Sequence, residues 1–219
     1  MRRALAEFIG TLILVTTVVG SGIMATNLSK DVGVQLLINT VSTICVLAFI
    51  IAIFGSTSGA HFNPLVSIWS RIHGELSTKD LLRYVIAQFA GGYFGALLAN
   101  AMFSHPLIER SHHERAGAPL YLGEIVATAG LMLAIGALSR KATTKSPSVL
   151  IPLWIGAAYF FTSSTSFANP AVTFARGWSN SFAGIAPRSI IFFVIAQCIG
   201  AVLGIFIAGL STSNQENIK

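Results

Sequence analysis

The chain has 219 residues, of which 53% are hydrophobic and only 10% charged, with a mean hydropathy of +0.73. Soluble domains carry roughly 25% charged residues, so the composition excludes an ordinary soluble domain and points to a membrane protein. The formal net charge of +6 is read as loop charge on one side of a bilayer, not as a nucleic-acid footprint.

Arg2 and Arg3 precede an apolar run that imitates a signal peptide. The run contains Glu7, exceeds the usual apolar core of such a peptide and shows no clear cleavage site, so it reads as a retained first span. Six segments are long enough to cross a bilayer as helices, which takes about 20 residues. They are placed near Ala4–Ala25, Gln35–Phe54, Leu81–Phe103, Tyr121–Leu138, Val149–Phe167 and Ser189–Leu210. Cys45 and Cys198 fall inside spans without CxxC spacing and read as buried, inert thiols.

Two polar, turn-forming runs follow spans two and five. They are Ser58-Gly59-Ala60-His61-Phe62-Asn63-Pro64-Leu65 and Ser164-Thr165-Ser166-Phe167-Ala168-Asn169-Pro170-Ala171. Asn is a good helix N-cap, and Pro is tolerated at the first helical position. Each run is therefore a loop feeding a short helix, about Pro64–Ile72 and Pro170–Trp178. Neither is long enough to span, so each is re-entrant, which is tolerated only where protein buries the backbone or water lines it. Of the fourteen Lys and Arg residues, nine (Arg2, Arg3, Arg71, Lys79, Arg83, Arg140, Lys141, Lys145, Lys219) fall on the side of the termini. That side is expected to be cytoplasmic.

The halves echo one another, over about residues 1–104 and 118–211 of a single transmembrane domain, 1–219. Glu7 matches Glu124 at an offset of 117, Asn63 matches Asn169 at 106, and Gln88 matches Gln197 at 109. Three spans per half force inverted topology. Inverted repeats place the functional site near the midplane, where broken helices meet. Glu7 and Glu124 are expensive inside spans. With no chain of acids and no basic partner there, they read as hydrogen-bond acceptors holding the re-entrant loops, not as a proton relay. Gln88 and Gln197 read as supporting hydrogen bonds. His61 is expected to bond within its loop in preference to gating. The loop holding His105, Glu109, His112, His113 and Glu114 lacks helix register and Cys partners, so no metal site is expected.

Two half-helix N-termini meeting at the midplane present unsatisfied N–H groups and positive dipole ends. With the Asn63 and Asn169 amides as donors and the carbonyls of Gly59, Ala60, His61 and Phe167 as acceptors, neutral hydrogen-bonding solutes can pass while cations are repelled.

The paired Asn-Pro motifs, the glutamates of spans one and four and the glutamines of spans three and six resemble the aquaporin (major intrinsic protein) family over nearly the whole chain. The resemblance implies an all-α membrane fold: six transmembrane helices and two re-entrant half-helices in an inverted 3+3, right-handed bundle. It also implies a homotetramer in the inner (plasma) membrane, passing small neutral solutes with no cofactor. Three departures stand out. Leu65 replaces the usual Ala of the first motif and is expected to crowd the midplane. Val172 stands where water-selective members carry Arg. Counting back from the motifs as the family does gives Thr43, Ala157 and Ser166 for the rest of the outer constriction, all small. Arg176, one turn beyond Val172, reads as a vestibule-lining or a loop-bonded residue. The run Asn169 to Arg176, with Ser181 to Pro187 after it, resembles a bacterial branch associated with arsenic resistance, which implies passage of neutral metalloid species.

The resulting expectation is a passive channel for glycerol-like polyols, neutral arsenic species and water. The alternatives are a water-selective channel and a secondary transporter with alternating access. The transporter is disfavoured because the spans lack a coupling-ion constellation. The spans also carry no paired aspartates, no HExxH and no GxSxG, which argues against an intramembrane enzyme. A structural junction would follow if Leu65 closed the pore.

Overall fold

The structure, a computed structural model, describes residues 1–139, 143 and 145–213. Arg140, Lys141 and Lys219, part of the charge asymmetry, lie outside the described residues. Eight helices follow one another: α1 (Arg2–Leu28), α2 (Val32–Ser58), α3 (Pro64–Ile72), α4 (Thr78–Met102), α5 (Ala118–Ser139), α6 (Pro147–Phe161), α7 (Pro170–Arg176) and α8 (Pro187–Ser213). Among the described residues α1, α2, α4, α5 and α8 are long and apolar enough to cross a bilayer.

Caps set the boundaries. Asp31 and Ser77 accept the Val34 and Asp80 N–H groups at the starts of α2 and α4, satisfying donors that no helical carbonyl reaches. α2 runs four residues past the expected Phe54 and stops only where Gly59 turns left-handed (φ 88°), a conformation glycine adopts without a Cβ clash. The fifth span is shorter than expected. α6 ends at Phe161, because Thr162 is extended and Thr165 and Ser166 adopt left-handed φ values of 62° and 52°. Its 15 residues rise roughly 22 Å, so the stretch from Thr162 to Ala168 belongs to the re-entrant loop. α7 likewise stops at Arg176, two residues before the expected Trp178.

The long helices pair closely, α1 against α4 and α5 against α8. Glycines make this possible. A Cβ on Gly91 or Gly95 would run into the α1 backbone at Phe8 or Leu12, and one on Gly200 or Gly204 would meet the α5 backbone at Ile125 or Ala129. Small residues at these crossings let backbones approach, which is how helices gain packing contact where water supplies no driving force. Large apolar side chains such as Phe49, Leu153 and Phe206 point outward. So do Cys45 and Cys198, which are exposed where burial was expected. A small apolar thiol suits an outward face as well as a core, and its position in a span does not decide between them.

Replacing Gly91 or Gly200 with Leu is expected to destabilise the bundle by about 1–3 kcal/mol or more through overpacking. Gly55→Ala, at a position with no atom near the added Cβ, is expected to be neutral or slightly stabilising. Thermal unfolding in detergent distinguishes the two classes.

Candidate functional site

The two re-entrant loops carry non-glycine residues in the left-handed region: Ala60 and Phe62 in the first, Thr165, Ser166 and Ala168 in the second. Each costs about 1–3 kcal/mol and persists only where its surroundings over-determine it. Here the surroundings are two buried carboxylates. Glu7, fully buried on α1, accepts the His61 and Phe62 N–H groups at 3.0 and 2.7 Å, the Ser58 hydroxyl at 2.6 Å and the Gln88 amide at 2.8 Å. Glu124, equally buried on α5, accepts the Phe167 and Ala168 N–H groups, both at 2.9 Å, and the Gln197 amide at 2.6 Å. Every one of these partners donates, so both side chains act purely as acceptors, as carboxylates do. Hydrogen bonds to charged groups are worth about 1.5–3 kcal/mol each, the same order as the backbone cost they offset. Gln88 and Gln197 also donate to Ser67 and Thr173, whose hydroxyls bond the Asn63 and Asn169 carbonyls. Each carboxylate is thereby tied through a glutamine to the first turn of a half-helix.

At the centre the loops interlock. The Asn63 amide donates to the Ala168 carbonyl at 2.8 Å, and the Asn169 amide donates to the Phe62 carbonyl at 2.7 Å. Each side-chain oxygen caps its own helix, Asn63 accepting from Leu65 N–H and Asn169 from Ala171 and Val172 N–H. A primary amide has two N–H donors. One on each Asn is used, and the second remains for a molecule passing between them.

A cavity of about 370 Å³ runs past this point. Its mouth on the side of the chain termini is lined by Ser70, Glu75, Ser139 and Pro147, and its far end by Thr43, Tyr159, Ser166 and Arg176. Asn63 and Asn169 face it between these ends, with Gly59, Ala60, His61 and Phe167 along the loops. The carbonyls of Gly59, Ala60, His61, Ser166 and Phe167 accept no hydrogen bond from the described residues. The opposing wall is apolar: Leu14, Val18, Leu47, Ile51, Ile135, Ile155 and Val172. His61 bonds to the first turn of α3 and not, as expected, within its loop, Nδ1 lying 3.1 Å from Ser67 Oγ, while its ring remains part of the wall.

The far end departs from the sequence expectation. Ala157 is exposed on the outer face of α6, and Tyr159 lines the cavity in its place. The count back from Asn169 takes a loop length for granted and falls two residues before Tyr159. The Tyr159 hydroxyl, donating to Thr43 Oγ1 at 3.3 Å, joins Thr43, Ser166 and Val172 around the lumen. Ser166 Oγ is buried without a partner. Leu65 does not crowd the lumen; its side chain packs into an apolar cluster with Trp69, Tyr159 and Ala168. Pro64, Pro170 and Ala171 are buried in the first turns of α3 and α7 and do not face the cavity. Arg176 both faces the cavity and is loop-bonded, its Nε donating to the Ala183 carbonyl. Arg115, from the loop before α5, is held beside it by the Gly184 and Phe182 carbonyls at 2.8 and 3.1 Å. Burial pulls the Arg115 guanidinium down to about 10, so it stays cationic at neutral pH. Tyr159 and Arg115 escaped the sequence reading, one through the register slip and the other because it lies in a polar loop with no motif.

The major intrinsic protein family model matches residues 1–168. Aquaglyceroporin AqpS of Rhizobium meliloti (strain 1021) is 47% identical over 92% of this chain and 86% of its own length. The glycerol uptake facilitator protein of Pseudomonas aeruginosa is 30% identical over 92% and 85%. The X-ray structure of the aquaglyceroporin from Plasmodium falciparum superposes with a TM-score of 0.65 at 18% identity, covering 95% of this chain and 93% of that one, a likeness of fold. The chain belongs to the major intrinsic protein family and is a membrane channel of that family.

Replacing Glu124 by Gln turns an acceptor oxygen into an N–H group that faces the loop donors. The variant is expected to lose about 1.5–3 kcal/mol of stability per broken bond, and solute flux should fall at unchanged protein level. Glu7→Gln should behave alike. Thermal unfolding and vesicle swelling on the same preparations check both.

Proposed function

We propose that the protein passes small uncharged polyols of glycerol size, together with water, down their gradients. The observation that carries this is the two-sided wall: free carbonyls, two Asn amides and Ser166 on one side, and an aliphatic face on the other. A polyol has that character, with hydroxyls along one edge and C–H groups along the other. Water gains nothing from the aliphatic face, and an ion gains too little from the polar one to offset the loss of its hydration. The names of the relatives, an aquaglyceroporin and a glycerol uptake facilitator, support the same solute class. Arsenous acid, a neutral trihydroxy molecule near neutral pH, belongs to that class by size and polarity. The local likeness of Asn169–Arg176 to the arsenic-associated branch favours extending the proposal to it.

Selectivity rests, in this reading, on Thr43, Tyr159, Ser166 and Val172. A valine at 172 leaves room that a guanidinium would occupy, while the Tyr159 ring limits width from α6. Each subunit of a homotetramer carries its own pore in this proposal. The protein lies in the inner (plasma) membrane with both termini cytoplasmic, supported by the basic residues on that side. A secondary transporter is the less favoured reading, since among the described residues the charged side chains on the cavity wall, Glu75 and Arg176, stand at opposite ends and form no coupling-ion site.

Stopped-flow light scattering on proteoliposomes tests this under water, glycerol and urea gradients. Wild type is expected to pass glycerol and urea without saturation, and Val172→Arg to slow both by about tenfold, the effect of ~1.4 kcal/mol on a barrier. Fast water flux with glycerol excluded would instead identify a water-selective channel, and saturable flux would favour a transporter. Tyr159→Ala is expected to admit polyols larger than glycerol, read as new swelling in erythritol or ribitol gradients.

A further inference from the structure

The far mouth is not without positive charge even though residue 172 is valine. Arg176 is only 2% exposed and faces the cavity. Its guanidinium carbon lies 3.3 Å from the centre of the Phe167 ring. Nε is committed to the Ala183 carbonyl, but neither terminal nitrogen has a protein partner among the described residues. Arg115 stands over the same ring at 5.1 Å. Neither arginine forms an ion pair with a carboxylate among the described residues. Glu124, the carboxylate whose charge reaches both, already accepts three hydrogen bonds from its loop and Gln197.

Two buried cations without a counter-ion are costly to keep out of water. Their field and the unused N–H groups of Arg176 require a negative or strongly accepting partner. We propose that Arg176, with Arg115 beside it, forms a binding site for one small singly charged oxyanion of the carboxylate or sulfonate class at the far mouth. The terminal nitrogens of a guanidinium form a planar fork that matches two oxygens of such a group. The anion goes no deeper, because among the described residues no side-chain cation lines the cavity inward of Arg176, and the carbonyls of the loops and the aliphatic face of Val172, Val18 and Leu14 do not replace its hydration. An occupied site therefore obstructs the mouth. The effect on flux rests on the reading of this cavity as the solute path; binding itself does not.

Methanesulfonate is the probe, since it stays charged and cannot cross as a neutral acid. Saturation-transfer NMR on the detergent-solubilised full chain reads binding. Glycerol flux in vesicles, with methanesulfonate or chloride on both faces at equal ionic strength, reads obstruction. In wild type we expect transfer to the methyl signal and a saturable slowing of glycerol by methanesulfonate. In Arg176→Gln both should weaken by roughly tenfold or more. If that variant does not assemble, Arg115→Gln replaces it with the same expected direction. Absence of transfer in wild type, or unchanged transfer in an assembled variant, overturns the site. Transfer without any glycerol flux keeps the site and contradicts the channel reading, while glycerol flux without transfer does the reverse.

Discussion

Everything at the centre of this molecule depends on a carboxylate accepting backbone N–H groups from a loop that could not hold its shape alone. Glu7 and Glu124 are each fully buried, and each takes two consecutive N–H groups of a re-entrant loop. That contact turns successive carbonyls toward the lumen, through left-handed residues that, apart from Gly59, are not glycine. It also fixes where each half-helix starts, and so where Asn63 and Asn169 meet. Helix pairing through Gly91, Gly95, Gly200 and Gly204 brings the carboxylates and their glutamines to the right depth.

The consequence is a path whose polarity lies mainly on the wall of the two loops, joined at the far end by the Thr43 and Tyr159 hydroxyls. Backbone carbonyls supply acceptors at no side-chain entropy cost, and the two interlocked amides supply donors at the midpoint. The converging N-termini of α3 and α7 make that midpoint positive. A second positive region, Arg176 and Arg115, lies at the far mouth. A cation therefore meets an unfavourable field twice, whereas a neutral solute exchanges its hydrogen bonds with water for hydrogen bonds with the wall.

Much of this was legible in the sequence. The spans followed from unbroken apolar runs, and the half-helices from Asn-Pro after a polar stretch. The roles of Glu7, Glu124, Gln88 and Gln197 followed from acids and amides at matched depth with no charged partner. What escaped depended on quantities that pattern does not carry. The end of α6 is set by extended Thr162, ahead of left-handed Thr165 and Ser166, residues whose types give no sign of those conformations. A count from the motif takes a loop length for granted and falls on Ala157 where Tyr159 lines the cavity. The outward direction of Cys45 and Cys198 follows from helix rotation, which an evenly apolar span leaves undetermined. Leu65 seemed an obstruction in the motif, but the first turn of α3 points it into the apolar cluster around Trp69.

The central claim is that neutral solutes pass this path and cations, protons included, do not. It is tested most directly by measuring proton flux and glycerol flux on the same proteoliposomes, using a trapped pH dye under an imposed gradient alongside light scattering. The account predicts glycerol flux well above that of protein-free vesicles, with proton flux indistinguishable from theirs. Proton flux that rises with protein content, in step with glycerol, would contradict it.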